Sequence, residues 1–287
     1  MAENILVVGA TGTVGSLVVA RLEREGYSVR GATRDPVAAA GRAGNSTTRF
    51  VEFDFERPET FAPALRGVYR VFLMARPGDD DPDRVGNPFL DEMVRAGVRR
   101  VVNLSAMGAE TREDFGLRRL ERHLEASHLP FTHLRPNFFM QIFTGGPLLA
   151  GIRATSAIHV PAADARLSFV DARDIADAAC ACLANSRHEG RAYTLTGPEA
   201  IDHATVARAI SAAVGRDIRY VVIGEAEACG GLERSGMAAA RIDRLVGFYR
   251  LVRAGFCAPV TTDVAQILGR PATSFAQFAI DHAERWR

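Results

Sequence analysis

Seven residues near the start of the chain have the types and spacing that a diphosphate site needs. The segment Gly9-Ala10-Thr11-Gly12-Thr13-Val14-Gly15 combines a tight turn at Gly9 with two further glycines. Gly12 would let a pyrophosphate approach the backbone, and Gly15 would let a helix pack closely on a strand. The amides and positive dipole at the start of that helix attract phosphate. The alternative is a glycine-rich strand-to-helix turn without a ligand.

The elements around this turn match that interpretation. Ile5 to Val8 is a short apolar run, typical of a strand buried on both faces, and Val14 to Glu25 carries apolar residues at helical spacing. Further strands are predicted at 28–33, 49–53, 68–74, 100–105, 131–134 and 191–195, with helical segments between them. This alternation predicts an α/β fold with a doubly wound parallel Rossmann sheet and right-handed crossovers.

The pattern also suggests two regions. After Gly145-Gly146-Pro147 the alternation becomes less regular. We therefore expect an NAD(P)-binding Rossmann domain over residues 1–150, to which residues 168–196 return. Residues 151–287 would form a smaller, mostly helical region that binds the substrate.

The end of the second predicted strand bears on which nicotinamide cofactor fits. An NAD site usually has an acidic residue there for the ribose 2′-hydroxyl, whereas this strand ends Ala32-Thr33-Arg34-Asp35. Arg34 could pair with a 2′-phosphate, so the sequence favours NADP(H) over NAD(H). Asp35 weakens this inference because it could bind a ribose hydroxyl or neutralise Arg34. A solvated surface arginine is the alternative.

Composition excludes several classes of function. The formal charge is +1, from 35 basic and 34 acidic side chains, so no nucleic-acid partner is expected. All 35 basic residues are arginine, which excludes Schiff-base chemistry through a lysine. The four cysteines lack zinc-site spacing, and no metal site is expected. Without an apolar signal core or a run of about 18 apolar residues, we expect a cytoplasmic protein with no membrane contact.

Several segments resemble one known family. They are the glycine turn, Thr33-Arg34-Asp35-Pro36, and the ranges Ser127–Met140, Phe169–Ala176 and Tyr193–Pro198. Together they resemble the NmrA-like, atypical short-chain dehydrogenase/reductase family, in the same order and over nearly the whole chain. The chain is most similar to the branch of NADPH-dependent quinone, azo-dye and imine reductases.

The resemblance implies a role for each matching position. Gly9, Thr11, Gly12, Thr13, Val14 and Gly15 would hold the pyrophosphate, and Arg34 the 2′-phosphate. Asp54 and Phe55 would lie beside the adenine, Met74, Ala75 and Arg76 along the ribose, and Ser105 near the nicotinamide; Pro136, Asn137 and Phe138 would pass the nicotinamide and lead into the substrate pocket. All of these positions follow predicted strands, where ligands bind in open parallel sheets.

One departure from the wider superfamily limits the chemistry. That superfamily uses a Tyr-x-x-x-Lys pair, in which the lysine lowers the tyrosine pKa. The corresponding stretch here is Phe115-Gly116-Leu117-Arg118-Arg119, with neither residue. Alcohol–ketone interconversion through that pair is therefore excluded. Hydride transfer to a quinone, an iminium ion or a conjugated enone remains possible, because solvent can supply any proton that the product needs.

Two polar residues and four apolar ones are candidates for contact with the substrate. Ser105 could hydrogen-bond a carbonyl oxygen, or it could end the strand or bind ribose. Asn137 could orient a substrate or stabilise its loop. The side chains of Phe138, Phe139, Met140 and Phe143 could form an apolar wall for an aromatic substrate, or an aromatic core cluster.

Three functions follow from these residues. The first is an NADPH-dependent oxidoreductase that transfers hydride to a small conjugated, aromatic acceptor without a Tyr-Lys pair. The second is an NADP(H)-binding, redox-sensing regulator without turnover. The third is a non-reductive isomerase or cyclase on the same scaffold. Each implies a small-molecule ligand, and the sequence does not determine the oligomeric state.

Overall fold

The computed structural model describes residues 4–76 and 78–287, which form nine strands and twelve α-helices. The strands are β1 (Asn4–Val8), β2 (Ser28–Thr33), β3 (Arg49–Glu52), β4 (Arg70–Met74), β5 (Arg100–Leu104), β6 (Phe131–Pro136), β7 (Ala157–Val160), β8 (Arg191–Leu195) and β9 (Arg219–Val222). The helices are α1 (Thr13–Arg24), α2 (Pro36–Arg42), α3 (Phe61–Leu65), α4 (Pro82–Arg95), α5 (Gly116–Ala126), α6 (Gly146–Thr155), α7 (Ala172–Ala184), α8 (His203–Val214), α9 (Glu225–Arg234), α10 (Ala239–Arg253), α11 (Asp263–Leu268) and α12 (Phe275–Asp281). None of these helices combines the length and the apolarity that a bilayer crossing requires.

The first of two structural units contains a seven-stranded sheet. The strand order is β3-β2-β1-β4-β5-β6-β8, and every neighbouring pair is parallel. The predicted α/β class and parallel Rossmann sheet are therefore confirmed. The unit comprises the described residues up to Pro136, together with 172–195 and 266–269.

Helices cover the sheet because its central strands are apolar on both faces. All but the first residue of β1 are buried, as the continuous run Ile5 to Val8 predicts. Helices α1 and α7 pack against each other. Apolar side chains from α3, α4 and α5, among them Phe61, Phe89 and Leu120, pack in one core cluster with Leu6 and Val71 of the sheet. Burial of this apolar surface stabilises the unit.

The second unit is smaller and mainly helical. It comprises residues 137–171, 196–265 and 270–287, and its only sheet within the described residues is the parallel pair β7-β9. Its core contains Phe143, Phe169, Phe275 and Trp286, and the Trp286 indole donates a hydrogen bond of 2.7 Å to the Phe143 carbonyl. The chain thus enters this unit after Pro136, earlier than the expected boundary at residue 150, because residues 140–143 contribute to this core. Residues 172–195 belong to the first unit.

Candidate functional site

The carboxyl ends of the parallel strands form one edge of the first unit. Gly9, Arg34 and Ser105 directly follow β1, β2 and β5, while Met74 and Pro136 end β4 and β6. The connections run outward in opposite directions from β1 and β4, so the strand order reverses between these two neighbours. Ligands of open parallel sheets bind at such a reversal, beyond the carboxyl ends of the strands. The fold therefore brings these predicted positions to one edge.

The glycine turn leaves several amides available at this edge. Gly9 has φ +70°, and the Gly12 amide donates to its carbonyl at 2.9 Å. The first helical bond of α1 runs from the Ser16 amide to the Gly12 carbonyl, at 3.0 Å. The amides of the three preceding helical residues, 13–15, therefore remain for a ligand, and no acidic side chain lies in the first turn. This arrangement suits a diphosphate.

Close packing explains why glycine occupies two of these positions. A Cβ atom on Gly15 would lie 2.1 Å from the Gly9 carbonyl oxygen, and one on Gly9 would lie 2.6 Å from the Met74 sulfur. The backbone turn is thus held directly against the start of α1 and the end of β4. The side chains of Thr11 and Thr13 are exposed, whereas that of Val14 is buried and offers only its amide to a ligand.

The end of β2 separates the roles of Arg34 and Asp35. The Asp35 carboxylate accepts a hydrogen bond of 2.8 Å from the Ala38 amide and caps α2. Arg34 is exposed, and among residues 4–76 and 78–287 it forms no hydrogen bond or ion pair. Since Asp35 is engaged as a helix cap, the Arg34 guanidinium remains available for an anion.

The two candidate residues after β3, Asp54 and Phe55, both have contacts within the first unit. The Asp54 carboxylate accepts from the Glu56 amide at 3.0 Å, which closes a turn. The Phe55 ring is buried and lies edge-on to Phe53, with 4.9 Å between centroids. Phe55 therefore contributes to the core, and Asp54 is the partly exposed residue of the pair.

The positions after β4 are partly exposed, and the charge of Arg76 is balanced. One Arg76 nitrogen lies 2.8 Å from both the Glu56 and the Asp79 carboxylates, while Ala75 has no polar side chain. The Arg76 pair with Glu56 joins the loops that follow β3 and β4. Two carboxylates leave this guanidinium less attractive to phosphate than Arg34.

Ser105 adjoins a buried ionic network, centred on Glu121, that the sequence did not predict. The Ser105 hydroxyl oxygen is buried, and it lies close enough to Glu121 to help lower the pKa of that carboxyl. Glu121, fully buried on α5, accepts bonds of 2.9 and 2.7 Å from Arg135 on β6 and one of 2.8 Å from Arg118. Burial alone would raise the pKa of Glu121, but the hydrogen bond from Arg135, with smaller contributions from His133, Ser105 and Arg118, outweighs it and lowers the pKa to about 2.

A histidine extends the network. Asn103 contacts His133 Nδ1 at 3.2 Å, and His133 Nε2 lies 3.5 Å from Glu125. Ligand atoms of Glu121, Glu125 and His133 lie within 4.8 Å of one another, but both Glu121 oxygens already accept from arginine. The arrangement is thus an ionic network. The available sequence signal was a pair of polar residues at alternate positions in each of two neighbouring segments: Asn103 on β5 with Ser105 just after it, and 133 with 135 on β6.

This histidine makes the stability of the protein depend on pH. Burial lowers the pKa of His133 to about 4, whereas an unfolded chain has a histidine pKa near 6.5. Between these values the unfolded state binds more protons, so the free energy of unfolding falls as the pH is lowered. Urea denaturation at pH 7.5, 5.5 and 4.5 measures this, and we expect His133→Gln to lose less stability over the series than the unchanged protein. Equal pH dependence in both would contradict the assignment.

Asn137 is the first residue of the second unit, and both hydrogens of its side-chain amide form hydrogen bonds within that unit. It donates bonds of 2.8 Å to the Ser168 hydroxyl and to the Cys257 carbonyl. Ser168 in turn donates to the Pro259 carbonyl at 2.7 Å. These bonds favour the loop-stabilising alternative for Asn137, because its donors are already occupied.

The four candidate wall residues separate into two pairs. Met140 and Phe143 are almost completely buried in the core of the second unit, so their contacts are with that core. Phe138 and Phe139 are partly exposed. The Phe138 ring meets Phe248 of α10 edge to face, with 6.1 Å between centroids. An exposed aromatic surface therefore exists, but it differs from the one expected.

Comparison with known proteins adds independent findings. The chain is 34% identical over 286 residues to an NAD(P)H azoreductase of Xenophilus azovorans, covering 97% of this chain and 98% of that one. A Citrobacter triphenylmethane reductase structure with NADP(H) matches at a TM-score of 0.85 and 20% identity, over 98% of this chain and 99% of the other. An NADPH-dependent quinone oxidoreductase from Escherichia coli, in complex with NADPH, matches at a TM-score of 0.84 and 20% sequence identity. The match covers 96% of this chain and 98% of the other.

A family model supports the same relationship. The model described as the NmrA-like family matches residues 1–230, which is most of the chain. The resemblance found in the sequence segments is thereby confirmed. The protein belongs to the NmrA-like family.

Proposed function

We propose that the protein is an NADPH-dependent reductase that transfers hydride to a small conjugated, aromatic acceptor. The observation that carries this proposal is the glycine turn at the strand reversal, with the free amides of α1 beside it. The named relatives support it: one is an azoreductase, and solved structures of the same fold are a quinone oxidoreductase and a triphenylmethane reductase. Each of those names implies an extended conjugated substrate.

The residues at the sheet edge fit a dinucleotide. The contact between Gly15 and Gly9 leaves no room for a Cβ atom, which keeps the turn amides together for a pyrophosphate. Arg34 would hold a 2′-phosphate, and the partly exposed Met74 lies against Gly9, beside the expected ribose. When bound, NADPH supplies the hydride. The protein's contribution is to orient the cofactor and the acceptor.

The protein offers little acid for protonating the product. The chain has no lysine, and Phe115 stands just before α5, where the wider superfamily has its tyrosine. Ser105 is the hydroxyl at this edge of the sheet, but its oxygen is buried and it helps to lower the pKa of Glu121. A hydroxyl is a weak acid, so acceptors that take hydride readily fit best. Quinones, iminium ions and conjugated enones meet this requirement.

The direct test is turnover with a panel of acceptors. Purified protein is incubated with NADPH and a quinone, an iminium ion, an enone, an azo dye or a triphenylmethane dye. We expect at least one to cause loss of NADPH absorbance, with one NADPH oxidised for each two-electron reduction and two for each azo bond that is cleaved to amines. NADPH binding without turnover across the panel would favour the redox-sensing alternative. Product formed without cofactor oxidation would favour an isomerase or cyclase.

Preference for NADPH is expected to depend on Arg34. Arg34→Ala removes an unpaired guanidinium beside the expected 2′-phosphate, and hydrogen bonds to charged groups contribute about 1.5–3 kcal/mol. We therefore expect the Kd for NADPH to rise about tenfold to a hundredfold, with the Kd for NADH nearly unchanged. Isothermal titration calorimetry with both cofactors measures the difference.

Arg95 provides the matched control. It ends α4, which leads to the amino end of β5, so it lies towards the opposite edge of the sheet. Arg95→Ala should leave both Kd values unchanged. Equal losses of NADPH and NADH affinity in Arg34→Ala would contradict a 2′-phosphate role.

A further inference from the structure

Three arginines of the first unit lie close together without a carboxylate partner. Arg30 lies within β2, Arg49 is the first residue of β3, and Arg66 directly follows α3. None of the three forms an ion pair among residues 4–76 and 78–287, whereas Arg57 of the same unit has two carboxylate partners. In a chain with 35 basic and 34 acidic side chains, most arginines could find such a partner. This arginine cluster therefore needs an explanation other than surface ion pairing.

The fold of the first unit brings the three side chains together. Arg30 and Arg49 are register partners in neighbouring parallel strands, so their side chains leave the same face of the sheet. Arg30 is also paired with Leu6, whose side chain packs with α3 in the core cluster, so this is the face that α3 covers. One Arg30 nitrogen donates bonds of 2.8 Å to the carbonyls of Ala64 and Arg66, where α3 ends.

Like charges within the arginine cluster repel one another. Burial lowers the pKa of Arg30, and the neighbouring charges of Arg49 and Arg66 lower it further. The position of the Arg30 guanidinium at the end of α3 is favourable, because a helix C-terminus attracts cations. That contact explains Arg30, but the side chains of Arg49 and Arg66 are exposed and have no polar partner among the described residues. An anion held between the three groups would remove the repulsion.

The turn that carries Arg66 is fixed by contacts on both sides. Gly67 has φ +70°, and its carbonyl accepts a bond of 3.0 Å from the side-chain amide of Asn4 on β1. The Val68 amide closes the turn with a bond of 3.0 Å to the last carbonyl of α3. Together with the bond from Arg30 to the Arg66 carbonyl, these contacts hold the backbone at Arg66 in place. A ligand therefore has to order side chains only, which lowers the entropic cost of binding.

We propose that Arg30, Arg49 and Arg66 form an anion site for a phosphoryl group, either of free phosphate or of a small phosphate ester. Guanidinium groups bind phosphate oxygens through paired, charge-assisted hydrogen bonds. Three of them match a group that carries about −1.5 to −2 charge at pH 7, whereas a single carboxylate would leave most of the repulsion uncompensated. The cluster lies towards the amino ends of β2 and β3, away from the carboxyl ends where the dinucleotide is proposed to bind. The inference thus goes beyond the proposed function.

The test is calorimetric titration with inorganic phosphate and with glycerol 3-phosphate, in a buffer without phosphate. NADP⁺ is present throughout to fill the glycine turn, and the variants below locate the anion even if NADP⁺ does not bind. We expect a Kd of about 1 mM for inorganic phosphate. Equal or tighter binding of glycerol 3-phosphate would show that the site accepts an ester, and weaker binding would restrict it to free phosphate.

Single substitutions locate the bound anion. Arg49→Gln and Arg66→Gln should each raise the Kd for phosphate about tenfold, while Arg57→Gln, which removes a guanidinium with its own carboxylate partners, should leave it unchanged.

Thermal denaturation provides a second measurement of the same site. Without phosphate, Arg49→Gln should keep or slightly raise the melting temperature, because it removes a repelling charge. Phosphate should raise the melting temperature of the unchanged protein but not that of the double variant Arg49→Gln/Arg66→Gln. Absence of phosphate binding up to about twenty times the expected Kd, or binding that neither single variant weakens, would overturn the anion site.

Discussion

Replacing Gly15 by alanine is expected to raise the Kd for NADPH at least a hundredfold. The new Cβ atom would lie 2.1 Å from the Gly9 carbonyl oxygen, a backbone atom that cannot rotate away. Either the turn or the start of α1 must move, and the amides of residues 13–15 then lose their common direction. A hundredfold loss corresponds to about 2.7 kcal/mol of binding free energy, a reasonable amount for displaced amides at a diphosphate.

The variant should also be less stable, which is contrary to helix propensity. Alanine is favoured over glycine in helices by up to about 1 kcal/mol, so any loss of stability must come from the contact with Gly9. Calorimetric titration with NADPH and thermal denaturation measure the two effects. A folded Gly15→Ala protein with unchanged NADPH affinity would show that the turn does not bind the diphosphate.

Gly41 offers a matched control. It lies within α2, and a Cβ atom there would meet nothing within 4 Å. Gly41→Ala makes the same chemical change in a helix of the same unit. It should leave the Kd for NADPH unchanged and keep or slightly raise the melting temperature.

Replacing Glu121 by glutamine is expected to lower the free energy of unfolding by about 3–5 kcal/mol, the usual cost of breaking a buried ion pair. The carboxylate is fully buried, and its two oxygens accept three bonds from Arg135 and Arg118. Glutamine keeps the shape but removes the charge and one acceptor, leaving Arg135 in particular poorly compensated. Urea denaturation followed by far-UV circular dichroism measures the loss.

Two further variants make this result specific. Glu59→Gln removes an exposed partner of Arg57 and should leave stability unchanged, because exposed pairs contribute little. Adding Arg135→Gln to Glu121→Gln should cost less than the sum of the single changes, since the two residues form one contact. Additive losses, or a Glu121→Gln loss below about 1 kcal/mol, would contradict the ionic network.

The sequence by itself determined the sheet and its glycine turn. The continuous apolar run before Gly9, the glycine spacing and the strand–helix alternation are local patterns. Each of these patterns is compatible with one local structure in a parallel α/β fold. The strand β1, the turn and the helix α1 therefore lie where the patterns predict them. Arg34 was identified in the same way, because the end of β2 is defined locally.

Only the tertiary structure decided which side chains are free to act. Phe138 and Phe143 have the same side chain in one aromatic segment, yet Phe143 is buried in the second unit's core and Phe138 meets Phe248, far along the chain. Asp35 was left with two roles until the α2 cap occupied its carboxylate. Glu121 and Arg135 are ordinary charged residues until α5 and β6 bury them together. Burial and partnership depend on contacts between distant segments, and no local pattern specifies them.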